Sequence, residues 1–287
     1  MEIEGFIAYI SLGIKLFCIQ CLILFIPIFA LALAINFFSG CIEACTAKSS
    51  MGKWFYYAQA PGTALHELGH AFFAVIFGYT ITEFVPFVLN PKEGFAGRVS
   101  YQYSKDKEAS PLFYIASFFI GVAPIILGSI AIIFLTYLFW GNEIKKIISL
   151  SPIQMDIHSL AGLENYFVAV IKNAYLIFTS LFFSSKVINP LTWLYFFLVY
   201  TIGSSITLSK QDCNIKAIWG LVEILLGLCM VNLIFSFLGD KWLNFSLYLT
   251  RYNHILYSFL LIVILLQLTT LLACSAIVLI CDKKTRK

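Results

Sequence analysis

An all-α polytopic membrane protein, with about six transmembrane helices and a small β-hairpin after the second, is the fold class that three observations predict. First, 60% of the 287 residues are hydrophobic and only 12% are charged, against ~45–50% apolar and ~25% charged in soluble domains. Second, several long intervals without Asp, Glu, Lys or Arg reach the ~20 residues that a helix needs to cross ~30 Å of hydrocarbon. Third, one segment between two such intervals is β-branched or aromatic at both ends, with turn residues between. The 19 Lys and Arg and 15 Asp and Glu are too few to coat a soluble fold of this size. Their scatter along the chain leaves no nucleic-acid footprint. The partner implied by composition is a lipid bilayer.

The first span is the charge-free interval 16–42. The residues before it lack a basic n-region, so this helix is read as retained, with Lys15 at its lip where the stem can snorkel. The second span, 54–78, carries His66, Glu67 and His70. Segment 79–103 follows, β-rich over 80–85 and 98–103 with Asn90-Pro91 and Gly94 between, and predicts the hairpin. The third span is 109–142. Residues 143–186 mix charge, Pro152 and polar side chains with an amphipathic stretch over 163–183, and read as an extramembrane loop carrying an interfacial helix.

Three spans remain: 187–209, 215–239 with Lys216 and Glu223 inside it, and 252–281. The tail Asp282-Lys283-Lys284-Thr285-Arg286-Lys287 puts four positive charges directly after the last span, so the C-terminus is expected in the cytoplasm. An even count of crossings puts the N-terminus on the same side. The organisation is then 1–53, an N-terminal helix and loop; 54–240, the core; and 241–287, a last helix and basic tail. The eight cysteines lie mostly inside or beside apolar runs and form no disulfide framework. Cys41 and Cys45, four apart near a membrane edge, are set aside as packing residues.

Within the second span sits His66-Glu67-Leu68-Gly69-His70. Residues four apart on a helix project from one face about 6 Å along the axis, so the two imidazoles can grip one zinc ion. Glu67 is then close enough to take a proton from water activated by that ion. With the His and Glu content of this chain, the pattern arises by chance in about two of a thousand such sequences. Three ionisable side chains within five positions of a span also need a common cause, because each is costly in lipid. The alternative is a set of polar side chains hydrogen-bonding between helices.

A catalytic zinc needs a third protein ligand. Asp212 leads, because it follows the fourth span in the polar, Ser-rich stretch 203–212, as expected where a helix unwinds beside a cavity. Glu223 is second, with pairing to Lys216 as its structural alternative. Glu164, His158 and His254 fall in loops or at lips and read as solvated.

The run from Pro61-Gly62-Thr63-Ala64-Leu65 through His66, Glu67 and His70 to Ala71, with Phe77-Gly78 and Gly97-Arg98-Val99 beyond it, resembles the site-2 protease family of intramembrane zinc metalloproteases. Ala123-Pro124 with Gly128, and Ser209 to Asp212 followed by Ile218-Trp219-Gly220, are similar to a bacterial branch in which a short S-x-x-D segment precedes another helix. The resemblance covers roughly residues 55–240. It implies zinc held by His66, His70 and Asp212, Glu67 as general base, and a membrane-embedded or membrane-adjacent protein or peptide as substrate. It also implies the bacterial inner membrane as location. Better-known members carry an N-P-x-x-P-x-L-D-G-like segment where this chain has Ser209-Lys210-Gln211-Asp212-Cys213-Asn214, and no PDZ-like insertion is present. No oxyanion donor is assigned.

Three other readings compete. A protease related to prenylated-protein processing also shows H-E-L-G-H but takes its third ligand from an E-x-x-x-D setting, and Glu164-Asn165-Tyr166-Phe167-Val168 lacks that aspartate. A non-catalytic membrane protein of the same fold would bind transmembrane partners. A metal transporter would step polar sites across the bilayer, whereas these ionisable residues cluster in one helical turn.

Overall fold

The computed structural model describes residues 3–47, 51–90, 96–102, 111–150, 160–183, 188–209, 212–250 and 253–285. They form an all-α membrane protein with one two-stranded sheet. The chain begins as one long rod, α1 (Ile3–Gln20) and α2 (Ile26–Ala47), joined by a π-helical turn at Cys21–Phe25. A π turn widens the helix and leaves carbonyls open to outside donors. The Tyr257 hydroxyl takes that role, donating to the carbonyls of Ile23 and Leu24.

Tyr257 belongs to the last helix, α10 (Asn253–Thr285). Further along, Gln267 meets Ser39 and Ser275 meets Cys45. Residue numbers rise together in both helices, so α2 and α10 run parallel. Ile3 and Thr285 therefore lie at opposite ends of the bundle, and the expectation that both termini share a side is corrected.

The stretch expected as a single span over 54–78 is two helices, α3 (Met51–Ala58) and α4 (Ala60–Ile76). They part at Gln59 because Pro61 lies in the first turn of α4, where a missing N–H costs nothing. α4 ends where Gly78 adopts φ 77°, a conformation that favours glycine. The chain turns there into β1 (Thr80–Val85), which pairs antiparallel with β2 (Arg98–Gln102) from Thr80 opposite Gln102 to Val85 opposite Arg98, with a bulge between Ile81 and Glu83. This is the expected hairpin; its turn residues Pro91 and Gly94 lie outside the described residues.

α5 (Pro111–Leu150) contains Pro124 and kinks at Trp140. Two later helices, α7 (Pro190–Ser204) and α8 (Ile215–Phe235), lie along it end to end. The Tyr195 hydroxyl meets Thr136 at 3.0 Å. A Cβ at Gly128 would touch Ile206, one at Gly121 would touch the Asp212 carbonyl oxygen, and one at Gly220 would overlap the Tyr114 carbonyl oxygen. As α5 is followed backwards from 136 to 114, its partners rise from 195 to 220. α7 and α8 therefore run in the same direction, one passage broken over 205–214, where the sequence reading has two successive crossings.

α6 (Leu160–Phe182) packs on α10, where Ser258 donates to the Val170 carbonyl at 3.0 Å. Its segment Gly162–Phe182 is long and apolar enough to cross a membrane, against the expected interfacial helix. Glu164 and Lys172 interrupt it, so a search for charge-free intervals passes over it. Five helices among the described residues meet that standard, and the apolar α7 is shorter. The 310 turn Ser236–Leu238 and α9 (Asp240–Thr250) lead into α10.

The main core gathers Ile35 of α2, Ile125, Ile132 and Trp140 of α5, Tyr195 and Val199 of α7, and Leu260 and Val263 of α10. Outward faces are apolar too: Phe37, Phe134, Leu226 and Leu272 are all more than 60% exposed. In water such a surface would aggregate, whereas lipid tails solvate it.

Candidate metal centre

His66 and His70 stand one turn apart on α4, and each ring is fixed by a carbonyl that another helix leaves free. Proline at 124 has no N–H to give to the carbonyl four residues earlier, that of Ile120. His70 Nδ1 donates to that oxygen at 2.8 Å. Helix α7 stops at Ser204, so the carbonyls of its last turn have no partners inside the helix. His66 Nδ1 donates to the next one along, Ser205, at 2.8 Å. α4 comes close enough because position 62 is glycine; a Cβ there would overlap the Thr201 carbonyl oxygen.

With both Nδ1 protons given to carbonyls, each ring in its neutral form turns the lone pair of its Nε2 toward the cluster. The two Nε2 atoms are 3.1 Å apart, and His70 Nε2 is 3.4 Å from Asp212 Oδ1. In that form two lone pairs and a carboxylate so close together repel unless a proton or a metal ion lies among them. The three ligand atoms fall within 4.8 Å of one another. Ligands ~2.0–2.1 Å from one tetrahedral zinc stand roughly 3.3 Å apart; the donor types suit such an ion and the His66–His70 and His70–Asp212 separations match that spacing, while His66 and Asp212, within 4.8 Å of each other, stand wider.

Asp212 is held by local turn chemistry in the break between α7 and α8. Its Oδ2 accepts from the Ser209 N–H at 2.7 Å, and its own N–H donates to Ser209 Oγ at 3.2 Å. Two residues on, Asn214 caps α8, accepting from the Ala217 N–H at 2.9 Å. The segment thus ends one helix, turns Oδ1 toward the histidines and starts the next helix. The site is sheltered: the His70 and Asp212 side chains are 10% and 11% exposed.

Glu67 lies beside His66 and under the hairpin. A Cβ at Gly97 would come within 2.6 Å of Glu67 Cγ and 3.0 Å of its Oε1, so only a bare backbone fits. The flanks of the hairpin are tied to α3, since Tyr56 donates to the Val88 carbonyl at 2.7 Å and Tyr57 to the Leu89 carbonyl at 3.0 Å. The Val88 N–H in turn donates to Ala96 at 2.7 Å. On β2, burial first, then Tyr79 and the nearby Asp212 carboxylate, push the Tyr101 phenol above its ordinary value, leaving it a neutral hydroxyl donor.

The remaining sequence candidates stay apart from this cluster. Glu223 has its Oε2 buried with no hydrogen-bond partner among the described residues, and Lys216 lies instead over the Phe113 ring at 4.7 Å. Glu164 is exposed, on α6 and not in a loop. His254, expected to be solvated, is 3% exposed at the start of α10, because α6 packs over that end. His158 lies outside the described residues. Sequence reasoning missed the two carbonyl partners, Ile120 and Ser205, although a proline four residues on and a helix end are both visible signals. It also missed Gly97, whose role depends on a contact with a residue far back in the chain.

Fold and cluster together define a membrane-embedded protein with a sheltered two-histidine, one-aspartate constellation. No family model matches this chain, and neither a curated protein nor a solved structure matches it. The resemblance drawn from its motifs therefore rests on the residues themselves.

Proposed function

We propose that this protein is an intramembrane zinc metallopeptidase of the site-2 protease type, acting on membrane-embedded or membrane-adjacent peptides. The observation that carries the reading is the convergence of His66 Nε2, His70 Nε2 and Asp212 Oδ1 beside Glu67, inside a broken passage of helix. When bound, zinc supplies Lewis-acid chemistry, acidifying water and polarising a carbonyl. The chain's own groups do the rest. His66, His70 and Asp212 would hold the ion, each pre-oriented by a hydrogen bond to its neighbours. Glu67 accepts a proton from the attacking water on its carboxylate and returns it to the leaving amine.

A peptide bond inside a membrane helix is protected by its own hydrogen bonds, so the substrate must unwind first. Among the described residues the sheet has two strands, and a strand edge near Glu67 would give an unwound segment backbone partners. The basic tail, read by the positive-inside rule, supports a cytoplasmic C-terminus, and the motif resemblance supports a bacterial inner membrane. The parallel course of α2 and α10 then supports an N-terminus on the opposite face.

The test is cleavage of single-span peptides with helix-breaking residues near their middle, read by mass spectrometry with the purified protein in detergent. Wild type is expected to cut, chelation to abolish cutting, and Glu67→Gln to slow it by about 10²–10⁴-fold while retaining zinc. Undiminished cleavage by Glu67→Gln overturns the catalytic assignment. Zinc bound without cleavage of any peptide favours the non-catalytic binder of transmembrane partners.

A further inference from the structure

The break after α7 exposes backbone that lipid cannot satisfy, and each carbonyl from Thr201 to Ser205 has a partner. Thr201 accepts from the hydroxyls of both Ser204 and Ser205 at 3.0 Å. Ile202 and Gly203 accept from the N–H groups of Ser205 and Ile206 at 3.1 Å. Ser205 accepts from His66. The remaining carbonyl, that of Ser204, is served from outside: Ser39 of α2 donates its hydroxyl to it at 3.0 Å. Ser39 in turn accepts from Gln267 Nε2 of α10 at 2.8 Å.

This pair is an expensive construction. Gln267 is fully buried and Ser39 nearly so, with Gln267 Oε1 left without a hydrogen-bond partner among the described residues. A serine in a helix readily folds its hydroxyl back onto its own backbone four residues earlier, as Thr46 does onto Ile42 in the same helix. Gln267 occupies the acceptor side of Ser39 and leaves its proton aimed at Ser204. One peptide unit separates the Ser204 carbonyl from the Ser205 carbonyl that fixes His66.

We propose that Ser39 and Gln267 are positioning residues for the metal centre, holding the Ser204–Ser205 peptide so that His66 keeps its Nε2 on the ion. The proposal rests on the zinc reading above, and it brings into the site two helices that lie outside the stretch resembling the protease family. Partners that orient a ligating histidine from behind affect metal affinity by about 10–100-fold.

Zinc affinity of the purified chain in detergent, measured by competition with a chromophoric chelator, tests it, with the cobalt(II) absorption spectrum reporting geometry and the thermal midpoint of the metal-free protein reporting stability. Ser39→Ala is expected to weaken zinc by about 10–100-fold and to alter the cobalt spectrum. Gln267→Leu should do the same to a smaller degree, because Ser39 is then free to fold back on its own helix, and it decides the matter if Ser39→Ala does not fold. Unchanged affinity and spectrum with only a lowered midpoint assign the pair to packing and overturn the proposal. A wild type that binds neither metal removes the zinc reading and this inference together. Tight wild-type binding that is lost in His66→Ala but unchanged in both variants defeats this inference alone.

Discussion

Pro124 removes one backbone donor from α5, and the carbonyl it leaves open takes the Nδ1 proton of His70. In an ordinary helix interior that exchange costs about 3 kcal/mol; here it fixes the ring that faces Asp212. Pro124→Ala restores an N–H that competes for the Ile120 oxygen. The variant is expected to melt at a higher temperature and to hold zinc about tenfold less tightly or worse, read by thermal unfolding and chelator competition. Equal affinity with higher stability would show that His70 needs no such anchor. Asp212 works by an analogous logic, since the Ser209 turn points one carboxylate oxygen at the histidines while the other takes a backbone N–H. At this scale much was legible in the residues: the i, i+4 histidines with Glu67 between them, and an aspartate in a polar break. What stayed hidden were the carbonyl partners, because backbone acceptors carry no residue identity and must be inferred from what fails to donate to them.

The elements place these residues by letting backbones approach closely at glycine. α7 and α8 form one broken passage antiparallel to α5, and the contact of Gly220 with the Tyr114 carbonyl sets the spacing of the Asp212 loop. Gly220→Leu forces α8 outward and is expected to destabilise by about 3 kcal/mol or more, lowering both the thermal midpoint and the zinc content. Gly227, on the same helix, is the control, because a Cβ there would meet nothing within 4 Å; Gly227→Leu should leave both readouts unchanged. Equal behaviour of the two variants would contradict the register described here. Hydropathy located α7 and α8 but gave no direction to either, since an apolar run reads the same both ways. It also passed over α6, whose Glu164 and Lys172 break a charge-free interval without preventing an apolar helix. The hairpin was legible because alternation and turn residues are local signals, whereas its seat over Glu67 depends on Tyr56 and Tyr57 reaching from α3.

For the molecule as a whole, composition alone specified the solvent, and the fold uses it: large apolar side chains face outward while hydrogen-bonding side chains turn inward. Gln20, Asn232 and Trp242 join α1, α8 and α9 through bonds of 2.7 and 3.1 Å, and Ser39 with Gln267 joins α2 and α10. Such bonds hold helices together where lipid removes the hydrophobic drive between them. The sheltered cluster of His66, His70 and Asp212 is the one place where the described residues gather three metal-ligating side chains. Metal analysis of the purified chain in detergent, wild type against Asp212→Ala and without chelators, is the most direct measurement of what that cluster is for. About one zinc per wild-type chain, sharply reduced in the variant, is the expected result. A wild type without zinc, or a variant that keeps as much as the wild type, would contradict it.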